Sequence, residues 1–378
     1  MYQDQSNDLR PEEAPEAPPM SISQSYTLEQ LKEDLLPLSS KDISTAPELP
    51  ETTRGRQRAS ISGQSLDQDE YLPGKLSHLP EGEGRQKTVF YLAYGSNLAA
   101  KTFLGMRGIK PLSQLNVVVP ELRLTFDLPG LPYLEPCFAG THFRSTSAKG
   151  AKSNLSNGAT TWEKHLLLQD PDKTLDQHRY NGPLIGVVYE VTLHDYAKII
   201  ATEGGGRGYK DIVVTCYPFS DSYDPADSIP ERPDTQPVKA HTLLSPAGMK
   251  ELVQLQTGSA PDFWRKPRYA QPSARYLKLI TTGAAEHHLP LEYRRYLAQI
   301  QPYHITSWRQ QVGKGVFLVL WAPFLLLTLA LARTFAGPDG RSPRWVVWFA
   351  DLVVTSMWGC YDHVFKPIFG DGEKTVER

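Results

Sequence analysis

Apolar residues are distributed in three regimes along the chain. Over residues 1–87 they stand isolated among Pro, Ser, Glu, Asp and Gln with no sustained period, which predicts a disordered tail. One amphipathic island, residues 26–38, places Leu28, Leu31, Leu35 and Leu36 at helical spacing and reads as a transient helix. From 88 to 308 the pattern changes to short β-branched and aromatic runs beside Pro or Gly, predicting strands at 89–93, 115–119, 122–126, 184–191, 211–217, 238–244 and 276–280. Leu193, Tyr196, Ile199 and Ile200 give one helix an apolar stripe that stops at Gly204, and Leu291, Tyr293, Leu297 and Ile300 mark a second. Two polar stretches, 144–180 and 220–237, have no period and read as surface insertions.

The third regime, 309–378, is hydrophobic. Residues 315–332 carry no charge and are just long enough to cross a bilayer as a helix, so this region is expected to be membrane-associated. Residues 345–354 are apolar again but interrupted by Asp351; this second segment either spans or lies in the interface with its Trp residues at headgroup depth. Arg309 and Lys314 flank one side of the first segment and Arg333, Arg341 and Arg344 the other, leaving the orientation open.

Composition narrows the classes. Of 378 residues only three are cysteine, Cys137, Cys216 and Cys360, scattered as buried packing residues are and consistent with a reducing compartment. The net charge of −2 is mixed along the chain, with no basic face for nucleic acid. The N-terminus lacks the basic-then-apolar pattern of a signal peptide, so the central domain is expected to face the cytosol. Arg56-Gln57-Arg58-Ala59-Ser60 matches a basophilic kinase site, a pattern that arises often by coincidence.

The candidate chemistry starts at residues 89–98, VFYLAYGSNL, an apolar strand running into a Gly-Ser-Asn turn. Gly95 permits close backbone approach to a ligand, and Ser96 or Asn97 caps a helix running toward Phe103, leaving amide N–H groups facing an anion. Glu203 stands at the C-terminal end of the 193–200 helix, where the macrodipole disfavours its charge; with partial burial this raises its pKa toward the range of a general base. Other chemistries fit poorly. Ser96 lacks the second glycine of a nucleophile elbow, and the GGGRGYK run at 204–210 lacks Walker spacing. His287 and His288 are adjacent, cannot both reach one metal from a regular element, and read as surface histidines.

Taken together, YLAYGSNL at 91–98, the helix ending in Glu203-Gly204, and the run from Tyr276 through HLPLEYRRYLAQIQP resemble the γ-glutamylcyclotransferase family over about residues 88–307. The resemblance implies an α+β fold, a small mixed β-barrel with flanking helices. It also implies that the loop of Tyr91, Leu92, Ala93, Tyr94, Gly95 and Ser96 binds a γ-glutamyl group, that Glu203 is the acid–base catalyst, and that Tyr276 lines the pocket. The hydrophobic C-terminal region and the Pro-rich stretch 128–136 are similar to fungal members, including cyclotransferases acting on glutathione adducts.

The reaction so implied needs no cofactor and no metal: a γ-glutamyl α-amine attacks its own γ-carbonyl, giving 5-oxoproline and a released amino acid or amine. Two rivals are a cyclotransferase specific for a glutathione adduct of secondary metabolism and a membrane-tethered γ-glutamyl-binding module without catalysis. Glu203 favours an enzyme, because a mere binding module has no chemical reason to hold a carboxylate there.

Overall fold

The structure is a computed structural model that describes residues 49–69, 72, 87–144, 182–202, 210–244, 270–337 and 339–376. Five strands close into a barrel in the order β1 (Thr88–Ala93), β5 (Leu184–Thr192), β2 (Ser113–Val119), β6 (Lys210–Pro218) and β7 (Val238–Leu244). Neighbours are antiparallel except at the seam, where β1 meets β7 in parallel through Tyr91 and His241. The closed sheet follows from the apolar runs: in β5 almost every residue is buried, as a strand covered on both faces requires. β3 (Leu122–Leu131) and β4 (Glu135–Phe143) form a separate antiparallel hairpin whose register shifts between Thr125 and Leu128.

Three expectations change here. Residues 276–280, expected as a strand, belong to α3 (Ala274–Glu286), because YLKLITTGAA places Tyr276, Leu277, Ile280, Gly283 and Ala284 on one buried face. Strand β4 forms where the list of expected strands has none: its prolines fall near the turn while Cys137 and Ala139 pack inward. Part of the expected tail is built into the domain. Residues 49–69 strap across the barrel: Thr52 and Pro50 exchange backbone hydrogen bonds with Gln114 on β2, and α1 (Arg54–Ser60) is capped by the Thr53 hydroxyl. The Arg56 guanidinium pairs with both Asp67 oxygens at 2.7 and 3.0 Å, reaches Glu190 at 3.0 Å and lies 3.9 Å over the Phe90 ring. Asp67, fully buried, also accepts the Phe90 amide at 2.6 Å. Ser60 is buried as well and accepts the Lys239 amide, so the kinase-like pattern is a packed helix in this fold.

The longer remaining helices are α2 (Leu193–Thr202), α4 (Leu291–Gln299), α5 (Trp308–Thr334) and α6 (Arg344–Cys360). Helix α2 lays Leu193, Tyr196, Ile199 and Ile200 on the barrel as its stripe predicts. Helix α5 opens with a capping box between Ser307 and Gln310, pairs with α6 as a helical hairpin, and is long and apolar enough to cross a membrane. The base of that hairpin packs Phe317, Tyr361 and Phe365 around Tyr133 from the β3–β4 turn. The leading expectation for the 26–38 island and for residues 145–181 lies outside the described residues.

Removing the Asp67 carboxylate strands the Phe90 amide and leaves the part-buried Arg56 guanidinium with Glu190 as its carboxylate partner. Asp67→Ala is expected to lower stability by ~3–5 kcal/mol in urea unfolding, whereas a disordered tail predicts no change.

Candidate active site

A cleft opens where β1 runs into the following turn, lined by Tyr91, Tyr94, Gly95, Ser96, Asn97, Ala139, Leu243 and Tyr276. Five of the residues expected at the site thus meet. Leu92 and Ala93 do not line it: both are fully buried in the core, and the Leu92 carbonyl accepts the Thr242 hydroxyl. Alternation along the strand turns Leu92 away from the face of Tyr91. Asn97, Ala139 and Leu243 were not singled out as binding residues. Asn97 stands within the YGSN motif itself, whereas Ala139 and Leu243 are small or aliphatic and carry no chemical signal in sequence.

The turn is a short 3-10 helix, Ser96–Leu98, followed by a π-helical stretch, Lys101–Met106, in place of the expected capped α-helix. Neither Ser96 nor Asn97 caps it: Gly95 occupies the cap position, and the Asn97 side-chain amide donates to the Tyr91 hydroxyl at 2.7 Å. Gly95 matters here for space, as its φ is −109°. A Cβ there would sit 3.2 Å from the Tyr276 hydroxyl and 3.5 Å from the Ala139 methyl, inside the cleft. The Tyr94 hydroxyl donates to the Leu243 carbonyl at 2.6 Å, and the Tyr276 hydroxyl accepts the Ala139 amide at 3.1 Å. Tyrosines therefore tie the elements around the opening in two pairs, the end of β1 to β7 and α3 to the β3–β4 hairpin.

Behind the cleft, α3 holds the turn from the other side. Gly283 lies so close to it that a Cβ would fall 2.4 Å from the Leu98 carbonyl carbon, and Glu286 accepts the Ala100 amide at 2.8 Å. His287, expected on the surface, is buried, with Nε2 at 2.7 Å from the Tyr189 hydroxyl and 3.0 Å from the Leu98 carbonyl. Burial drives its pKa down from 6.5 to about 4, so the imidazole is neutral at neutral pH. Below the cleft, the Tyr196 hydroxyl donates to Asp211 at 2.7 Å, and His241 Nδ1 faces the same carboxylate at 3.1 Å. Burial opposes charge on His241, but the hydrogen bond and charge of Asp211 outweigh it and raise its pKa.

Glu203 lies outside the described residues; α2 ends at Thr202, immediately before it. Among the described residues no cluster of three His, Cys, Asp or Glu side chains is arranged as a metal site. Cys137 and Cys216 are buried, and burial pushes both thiols up.

Comparison with known proteins decides between the classes this cleft allows. The chain is 33% identical over 306 residues to the γ-glutamyl cyclotransferase aclK of Aspergillus oryzae, covering 78% of this chain and 94% of that one. The chain belongs to the γ-glutamyl cyclotransferase family. It is also 32% identical over 286 residues to γ-glutamyl cyclotransferase gliK of Aspergillus fumigatus, covering 75% of this chain and 89% of the relative. Residues 307–368, which hold the helical hairpin, match the model of the AclK C-terminal domain. A solved structure titled gamma-glutamyl cyclotransferase aligns with 58% of this chain and 92% of its own at 17% identity, with a TM-score of 0.35.

Two measurements test this geometry. Tyr276→Phe removes the acceptor of the buried Ala139 amide, which is expected to lower the unfolding free energy by about 1–3 kcal/mol and, because the hydroxyl lines the cleft, to raise KM. The depressed pKa of His287 gives a stability contribution that is complete above pH 6.5 and is lost as pH falls toward 4. The drop corresponds to roughly 3 kcal/mol over that window. His287→Gln, which cannot titrate, is expected to flatten the wild-type decline in urea-unfolding free energy between pH 6.5 and 4; an unchanged slope would mean the imidazole ionises freely.

Proposed function

We propose that the protein cyclises a γ-glutamyl group to 5-oxoproline and releases an amino acid or amine, as a lyase without a cofactor. The observation that carries this reading is the joining of the YGSN turn and Tyr276 in one cleft, with α2 ending directly before Glu203. Ring closure is intramolecular, so the protein's tasks are to fold the glutamyl chain into attack geometry, take a proton from the ammonium and steady the oxyanion. The narrow cleft walled by Tyr91, Tyr94 and Tyr276 suits the first task. Glu203 takes a proton from the α-ammonium and the freed amine attacks the γ-carbonyl; as the C–N bond to the leaving group breaks, the attacking nitrogen gives up a second proton to become the lactam N–H, and the leaving nitrogen takes up both protons and departs as an ammonium. Backbone amides of the turn hold the glutamyl carboxylate or the developing oxyanion.

We read the α5–α6 region as the membrane attachment, with the catalytic domain toward the cytosol, because α5 exposes an uncharged apolar surface along most of its length.

Glu203→Gln keeps the shape of the carboxylate but cannot accept a proton. It is expected to lower 5-oxoproline release at least ~100-fold while γ-glutamyl ligand binding, followed by calorimetry, persists. A folded variant with near wild-type turnover would move the base elsewhere.

A further inference from the structure

Both ends of the α5–α6 hairpin are fastened to the same catalytic domain. At the base, the Tyr133 amide donates to the Gly372 carbonyl and its hydroxyl to the Gly370 carbonyl, each at 2.9 Å. Gln310 near the start of α5 donates to the Asp371 carbonyl at 2.7 Å, and the Gln271 amide donates to the Glu373 carbonyl at 2.9 Å. From Phe317 at this base, α5 rises about 25 Å to Thr334. The tip then turns back onto the barrel. Gly340, at φ +74°, lies so close to α2 that a Cβ would fall 2.0 Å from the Ala197 carbonyl oxygen and 3.1 Å from the Ala201 amide nitrogen. The charge of Arg341 is felt by Tyr196 inside the same packing.

A membrane-crossing hairpin needs its tip on the far side of about 30 Å of hydrocarbon from its base. Contact of the tip with α2 forbids that, since α2 buries Tyr196 and Ile199 completely in the barrel core. The outer faces of the two helices nevertheless stay open and apolar, with Val319 81% and Trp348 66% exposed beside Val316, Leu320, Phe324 and Leu352. Residues 315–332 carry no charge, whereas Trp308 and Arg309 stand at one end and Arg333, Arg344 and Trp345 at the other. That arrangement of interfacial side chains at both ends fits a lipid surface.

Resting on the membrane reading above, we infer that the hairpin lies in the plane of one leaflet without crossing it, its outer faces toward the acyl chains and its tip on the same side as the catalytic domain. On the side toward α6, Trp321 and Leu325 are half-buried against the cluster that includes Met357 and Trp358.

The test uses the full chain on sealed phosphatidylcholine–phosphatidylserine vesicles, with Cys360→Ser and an exposed tip reporter, Ala336→Cys; the other two cysteines are buried. A membrane-impermeant maleimide should label the reporter to the same extent before and after detergent, with the catalytic domain open to external protease. A reporter labelled only after detergent, with the domain still outside, overturns the in-plane seat and leaves membrane attachment standing. Wild-type protein that fails to float with vesicles overturns both. Val319→Asp combined with Trp348→Asp should reduce flotation at least tenfold; undiminished flotation, or a soluble dimer that this variant dissociates, assigns the face to something other than lipid.

Discussion

The cleft depends on one close approach, that of helix α3 to the turn after β1. Nothing larger than hydrogen fits at position 283, because the Leu98–Ala99 backbone occupies the place of a side chain. With the helix seated so deeply, Glu286 and His287 at its C-terminal end reach Ala100 and Leu98, while Tyr276 near its start reaches Ala139 on the opposite wall. One rigid rod thus fixes the floor and one side of the cleft together. The neutral state of His287 belongs to this constraint, since a charged imidazole packed against Tyr189 and a single carbonyl lacks compensation for its lost hydration.

The opposite balance holds at the barrel seam. β1 and β7 touch in parallel at Tyr91 and His241, and the imidazole there is buried against a carboxylate that favours its charge. Its other nitrogen meets the Leu66 carbonyl at 3.0 Å, so the N-terminal strap closes the last open side of the pair. Two buried histidines in one small domain therefore sit in opposite ionisation environments, decided by the presence or absence of a facing carboxylate. The strap does more than cover apolar surface: through Asp67 and the Leu66 carbonyl it supplies acceptors to β1 and β7, the two strands that make the seam.

Much of this was legible in the sequence because the signals were local. The VFYLAYGSNL run, the amphipathic stripe of α2 and the uncharged stretch of α5 each declare themselves within a dozen or so residues, and the motif order carried the family. What escaped was set by distant partners. The run 276–280 has the residue types of a strand, and its helical period becomes decisive only when read through to Ala284. Arg56, Asp67 and Ser60 look like tail residues until Phe90, Glu190 and Lys239 are brought beside them. His287 looked exposed because its polar neighbours in sequence say nothing of Tyr189 and Leu98, which bury it. Ala139 and Leu243 line the cleft through backbone position, and no residue type announces that.

Helix α2 shows how several demands share ten residues. Its stripe anchors the barrel, and its Tyr196 hydroxyl, turned toward Asp211 at the start of β6, ties the helix to the strand that resumes after residues 203–209. Asp195 on another face accepts the Lys110 amide and the Lys198 ammonium, holding the segment that follows the π-helical turn. The side that meets the hairpin tip offers Ala197 and Ala201, residues small enough for Gly340 to reach the helix backbone. A larger residue at 197 would satisfy the hydrophobic pattern equally well and still lift the tip away. Small side chains here are thus a condition of the contact between the apolar hairpin and the domain that carries the cleft, on a helix that ends at Thr202, immediately before Glu203 in sequence.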